Sequence, residues 1–490
     1  MTFSHGVASG DPLGDRVVIW TRITTDEPSV TLAWVLARDA ALEDIVASGE
    51  ADAEATHDHT VHVDVTGLEP ATCYHYAFTV GDETSPVGRT RTLPAGGVER
   101  VRFAACSCAK FDAGFCNAYA RIAEHDDLDF VLHLGDYIYE AAATATSSNP
   151  TVDLGRPFDP VNECRTLEDY RRRYAQYHRE PEAQAMHWSL PMIATLDDHE
   201  LADGAWAGGS DGHDEAEMGP WEERRDAALQ ARWEWLPARP PDPADLTRVF
   251  RTIALGELAD IQLLDIRSRR DEPVPPPAMD DPARSMLGAQ QRAWLLDALE
   301  HADETAWQIV ATPSIFTPTW TPDPAEPLRT AMQKLKLMDD DVSGPDFDQW
   351  DGYPVERSAL TAALGPLPDI VLLSGDIHSS VAGEVRDADG LTVAVELTTA
   401  SVSSRNLDDR LGVPNRDPRV TGAEDAFVAA LDHVAWCDFA SHGYMVVDLD
   451  ARRLRGEWWY VDTTLERSDG VALGKVFEVP RGRAELVAAD

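Results

Sequence analysis

FVLHLGDYIYE, residues 130–140, is the stretch that decides how this chain is read. Phe130 to Leu134 are apolar or nearly so, and they run into Gly135, Asp136 and two tyrosines. A continuous apolar run is a strand covered on both faces, which belongs to a layered α/β fold rather than to a one-sided sheet. If the strand merely turned back, Gly, Asn or Pro would suffice. A carboxylate at Asp136, with the phenol of Tyr139 three residues on, asks for a chemical reason.

Other apolar runs end the same way. AACSC (104–108) stops at Cys108, MIATLDDHE (192–200) at Asp197, Asp198 and His199, and IVLLSGDIH (370–378) at Asp376 and His378. Ligands of layered α/β folds bind beyond the carboxyl ends of strands. Carboxylates gathered there without cations would repel one another and desolvate badly, and metal ions resolve that conflict.

Each residue taken singly has a plainer reading. Cys108 could be a small buried hydrophobe, Asp136 a turn cap and Tyr139 packing. His199 could cap a turn, and Asp376 with His378 could be turn chemistry. These readings would all have to hold at the ends of four similar strands, and that coincidence argues for one shared site. His133, inside its strand, reads as a satisfied core histidine, and Tyr137 as packing.

Composition narrows the classes. A chain of 490 residues with 43% hydrophobic residues can bury a large domain and a smaller attachment. Its net charge of −44 argues against a nucleic-acid partner, whose phosphates are held by clustered cations. Lysine occurs only at Lys110, Lys334, Lys336 and Lys475, so arginine supplies most of the positive charge. Six cysteines in this length are not a disulfide framework, and Cys106, Cys108 and Cys116 lack the second pair or histidines of a zinc finger. No apolar window approaches the length of a membrane span. The start, MTFSHGVASGDP, shows no basic region, twin arginine or apolar segment of an export signal. Two locations are therefore expected alternatives, the cytoplasm or a secreted protein shown without its signal.

Residues 1–95 read as a small all-β sandwich, with strands in RVVIWTRI, VTLAWVLA, HTVHVDV, CYHYAFTV and VGRTRTL and with Leu68, Tyr74 and Tyr76 facing inward. LPAGGVER (93–100) is the expected linker. Residues 96–490 alternate apolar runs with helical ones, among them the helices LEDYRRRYAQYHRE, EERRDAALQARWEWL and GAQQRAWLLDALEHA, the last with Leu295, Leu296 and Leu299 on one face. PVPPPAMDDP (273–282) and PDPAEP (322–327) are loops.

The ordered motifs resemble those of a known family. FSHGVASGDPLGDRVVIWTR (3–22), GDYIYE (135–140), LDDHELADG (196–204), LLDIRSRRDE (263–272), WDGYPVER (350–357), SGDIHSS (374–380), HGYMVVDL (442–449) and EWWYVDT (457–463) are similar to those of PhoD-type alkaline phosphatases, within the purple-acid-phosphatase-like metallophosphoesterases. The resemblance implies a four-layer α/β/β/α core of two packed mixed sheets flanked by helices, preceded by a fibronectin III- or Ig-like sandwich.

It also implies a mixed two-metal centre. Asp136 would bridge the metals, and Tyr139, Cys108 and His378 would complete an Fe3+ site with charge-donating ligands. Asp198, with Asp197 as a further candidate, and Asp376 would hold the other side, where oxygen ligands favour one or two Ca2+ over Mn2+, Zn2+ or Mg2+. His199 would contact phosphate or act as general acid. Cys106 competes with Cys108, which is preferred because its spacing to Tyr119 matches the family. Arg357 and the arginines of LLDIRSRRDE could reach a phosphate or pair with the protein's own carboxylates. The turn Ala311, Thr312 and Pro313 departs from the polar turn of related proteins, so no role is carried to it.

The expected activity is alkaline phosphomonoester hydrolysis with phosphodiesterase side activity, on a small phosphate ester, by a monomer. The alternatives are a phospholipase D-like phosphodiesterase and, from another class, a silent metal-binding or adhesive protein.

Overall fold

The computed structural model describes residues 1–142, 154–240, 245–300, 305–321, 324–335, 337 and 347–489. Positions 301 and 302 of the expected GAQQRAWLLDALEHA helix and 322 and 323 of the PDPAEP loop lie outside them.

Two large sheets carry the chain after residue 100. In the first, strands Arg100–Cys106, Phe130–His133 and Met192–Ala194 run parallel, with Leu132 level with Ala105 on one side and Ile193 on the other. In the second, Ala259–Leu263, Trp307–Ala311, Ile370–Ser374 and Thr392–Thr398 are parallel neighbours. Antiparallel strands flank the second group on both sides and the first on one, where Gly443–Asp450 pairs directly with Arg100–Cys106.

The period-two alternation of these strands sorts their side chains into layers. Phe103, Ala105, Phe130, Leu132 and Ile193 of the first sheet meet Ile309, Ala311, Val371 and Leu373 of the second in one dry core. The alternate residues Ala104 and Val131 face outward under helices Leu167–Tyr177 and Trp221–Trp235. Val310 and Leu372 face the opposite way, under helices Gly288–Glu300 and Pro354–Leu364. The result is helix, sheet, sheet, helix. Leu295 and Leu299 are buried in that outer layer, with Leu296 packed at its edge.

The N-terminal residues form a β-sandwich with its own core, including Ile19, Leu32, Leu36, Tyr74, Tyr76 and Phe78. Leu68 joins that core, as the alternation predicts. One of its strands, Val7–Gly10, also reaches the first large sheet, where Gly10 pairs with Met192. A Cβ at Gly10 would stand 2.5 Å from the Met192 carbonyl oxygen and 2.4 Å from that of Pro237, so only glycine allows this approach. Strand Ile45–Glu54 was not legible in the sequence: its residues are mostly small or charged, and it is ordered by pairing with Ser29–Ala37.

Candidate metal centre

The strand ends converge. Ligand-type atoms of Cys108, Asp136 and His378 lie within 4.8 Å of one another, as do those of Asp136, Asp198 and His199, and those of Asp136, Asp197, Asp198 and Asp376. Asp136 belongs to all three groups. Two isolated bridges, Ser107 with Ser401 and Leu196 with Asp265, lie just past the strands and close the sheets' carboxyl edges around the cluster.

The backbone is bent to make this possible. Cys108, Asp136, Asp376 and His378 have φ of 62°, 57°, 67° and 51°, the left-handed region that non-glycine residues rarely adopt. Each such residue costs about 1 kcal/mol or more and persists only where its surroundings over-determine it. Glu200 is one such determinant. Its buried carboxylate accepts N–H bonds from Asp136 at 3.0 Å, Tyr137 at 2.6 Å and Asp197 at 2.9 Å, so one side chain ties two strand-end loops together. Gly135, with φ of 105° and no room for a Cβ beside Asp197, brings the loops into contact.

On one side of Asp136 the donors are mixed. The Tyr139 hydroxyl donates to Asp136 Oδ2 at 2.7 Å, lies 3.2 Å from His378 Nε2, and accepts from Ser404 Oγ at 2.7 Å. Burial, reinforced by Asp136, pushes the Cys108 thiol and the Tyr139 phenol well above their ordinary pKa values. Burial and then Arg410 hold His378 well below its own.

The other side is all oxygen, and it already contains one cation. Arg267, fully buried, donates to Asp197 Oδ1 at 2.5 Å, Asp348 Oδ2 at 2.6 Å and Asp376 Oδ2 at 3.2 Å. A single guanidinium does not settle the charge of this cluster: burial, joined by neighbouring carboxylates, raises the pKa values of Asp136, Asp197 and Asp376. Asp136 Oδ1, Asp197 Oδ2 and Asp198 Oδ1 are buried with no hydrogen-bond partner among the described residues. Buried carboxylate oxygens are almost always satisfied, and three unsatisfied ones aimed at one small volume fit metal ions.

His199 lies at the rim, its ring 4.1 Å from that of Tyr139. Its Nδ1 is 2.7 Å from Glu140 Oε2, and Glu140 Oε1 accepts the Asp203 N–H at 2.7 Å. Burial works against the imidazolium, but Glu140, Asp136 and Asp198 outweigh it and raise the His199 pKa well above normal. Burial likewise opposes the Glu140 carboxylate, yet His199 brings its pKa down to about 2.

These groups open into a cleft of about 540 Å³, which Lys110, Asp203, Asp211, Arg405 and Arg410 also line. Arg357 is elsewhere, on Asp351, and does not line it. Arg270, like Arg267, is turned onto Asp348. Cys106 points into the layer beneath the helices, and His133 Nε2 is 2.7 Å from the Tyr119 hydroxyl in the core. Glu140 and Glu200 lie inside the quoted motifs, yet nothing in the sequence singled them out, since their partners come from other strand ends.

Residues 103–458 match the family model described as PhoD-like phosphatase, and residues 1–94 match that of its N-terminal domain. The chain is 35% identical over 411 residues to alkaline phosphatase D of Bacillus subtilis (strain 168), an alignment covering 78% of this chain and 65% of that protein. A solved structure described as that of PhoD superposes with a TM-score of 0.86 at 28% identity, covering all of this chain and 92% of the other. The chain belongs to the PhoD-like phosphatase family. None of its helices, among the described residues, is long and apolar enough to cross a membrane.

Proposed function

We propose that this chain is an alkaline phosphatase that hydrolyses phosphate monoesters, with side activity on diesters, through a two-metal centre. The observation that carries the reading is the set of buried oxygens of Asp136, Asp197 and Asp198 that have no hydrogen-bond partner among the described residues, next to a Cys108, Tyr139 and His378 donor set. Cys108, Tyr139, His378 and Asp136 suit Fe3+, whose affinity for thiolate and phenolate matches these donors. Asp136, Asp198 and Asp376, with Asp197 at the edge on Arg267, suit a hard ion such as Ca2+, and Mn2+, Zn2+ or Mg2+ are the alternatives. Bound there, two cations supply an activated water and neutralise phosphoryl oxygens.

The chain's own residues do the rest. Ligation through His378 Nε2 requires its proton on Nδ1, where the Arg405 carbonyl oxygen, 3.2 Å away, accepts it. Glu140 holds the Nδ1–H of His199 and leaves Nε2 to carry the proton into the cleft. As water attacks phosphorus and the ester P–O bond breaks, His199 Nε2 gives that proton to the departing alkoxide. Glu140 favours the protonated form of this acid against the opposing effect of burial.

The one G-x-S-x-G run, GGSDG (208–212), lies in an irregular loop with no strand leading into it, unlike a nucleophile elbow. We further infer that residues 1–95 and 96–490 are separate modules, supported by the sandwich's own apolar core.

The test is metal content together with hydrolysis of p-nitrophenyl phosphate and bis(p-nitrophenyl) phosphate across pH. Iron plus a second metal, with faster turnover of the monoester, is the expected result. Absence of metal and of activity would overturn it, and faster turnover of lecithin would move the reading to a phospholipase D-like phosphodiesterase.

A further inference from the structure

Most arginines around this centre are spent on carboxylates, as expected of a chain with net charge −44. Arg267, Arg270 and Arg357 are each ion-paired. Lys110 and Arg410, which line the cleft wall beside Arg405, are the exception. Three cations stand together, and among the described residues neither Lys110 nor Arg410 forms an ion pair with a carboxylate. Arg410 spends one N–H on the Arg405 carbonyl oxygen at 3.1 Å, and its Nη2 stands 3.3 Å from His378 Nδ1. The Lys110 ammonium lies 5.1 Å from the centre of the Tyr139 ring. Cations that line a half-buried cleft wall without a carboxylate partner are stabilised by an anion.

That anion is not the phosphoryl group undergoing attack. His378 turns Nε2 toward Tyr139 and the clustered carboxylates and Nδ1 toward Arg410, so a whole imidazole separates Arg410 from the centre. Lys110 stands over the body of the Tyr139 ring, while the hydroxyl at its far end meets Asp136. The cleft thus has two poles one aromatic ring apart, an acidic one that needs cations and a basic one that needs an anion.

We propose that Lys110, Arg405 and Arg410 form a subsite for a second phosphate group, so that the preferred substrates are phosphate esters whose alcohol portion carries another phosphate. Arginine suits that group because its planar fork pairs two oxygens at once. The proposal rests on the phosphate-ester reading above and adds the chemistry of the leaving group.

The test compares propyl phosphate with 1,3-propanediol bisphosphate, which differ only in the second phosphate, by phosphate release from the metal-loaded full-length protein. The bisphosphate should show a kcat/KM about tenfold higher, beyond the twofold from having two scissile groups, as charge-assisted pairing implies. Lys110→Met and Arg410→Gln should each remove most of that preference, lowering kcat/KM for the bisphosphate far more than for propyl phosphate. Equal turnover of both esters by the unmodified protein would overturn the subsite while leaving the phosphatase reading intact. Hydrolysis of neither ester by metal-loaded protein would instead defeat that reading. Because the first comparison needs no variant, poor folding of a substituted protein leaves the proposal open to refutation.

Discussion

The phenol of Tyr139 donates to Asp136 Oδ2 at 2.7 Å, so the two residues that end FVLHLGDYIYE most oddly are hydrogen-bonded to each other. The Asp136 oxygen left over, Oδ1, has no partner among the described residues. One carboxylate thereby faces a phenol on one side and the cluster of Asp197, Asp198 and Asp376 on the other. Replacing Asp136 by Asn keeps the left-handed backbone, which asparagine tolerates. It removes the charge between the two groups of donors. Both metal content and hydrolysis should fall to background, and an iron-loaded, fully active Asp136→Asn protein would refute the two-metal reading.

Tyr139 gives a separate signature. If its oxygen ligates iron, the protein is coloured by phenolate-to-metal charge transfer, and Tyr139→Phe should abolish the visible band. The buried ring would still pack beside His199, so thermal stability should change less than colour. A visible spectrum surviving in Tyr139→Phe would assign the colour to another ligand, with Cys108 the first candidate.

The Glu140–His199 pair predicts a pH dependence of definite sign. The Glu140 pKa is depressed to about 2, so its contribution to stability is present above the ordinary carboxylate value and is lost as pH falls through the folded value. The His199 pKa is raised, so its contribution is complete below the ordinary imidazole value and is lost as pH rises through the folded one. Removing the charge in Glu140→Gln should lower the His199 pKa. The alkaline limb of the kcat profile should then move to lower pH, with activity better preserved at neutral than at alkaline pH. An unmoved alkaline limb would take His199 out of the acid role.

What was legible in the sequence is what lies within one strand and its end. Phe130 to Leu134 is apolar on both faces because helices cover one side and a second sheet the other, and Asp136 follows within the same few residues. Cys108, Asp198, Asp376 and His378 were found by the same local rule, and their convergence then followed from strand ends sharing one edge. Glu200 shows where such reasoning stops. It stands beside His199 in the sequence, but its function depends on accepting backbone N–H groups 64 and 63 residues away. Arg410 is hidden for the same reason, since only the fold brings it against His378. The strand Ile45–Glu54 and the helix Pro418–Ala430 lacked any strong periodic signal, and tertiary packing supplied what local pattern did not.

Arg267 separates the stability of the empty centre from that of the filled one. Its guanidinium is wholly buried and touches Asp197, Asp348 and Asp376, with Asp198 at 3.8 Å. Removing one member of a buried ionic cluster costs about 3–5 kcal/mol, because the remaining charges are left without compensation. In Arg267→Met the carboxylates must then be protonated or repel one another, unless metal ions take over the neutralisation. Thermal unfolding should therefore show a large loss of stability in chelator and a smaller one with iron and calcium present. The gap between the two measurements reports how far the cations and Arg267 share the same carboxylates. Equal losses with and without metal would mean that Arg267 braces the loops independently, and that the oxygen-rich side of the cluster holds no cation.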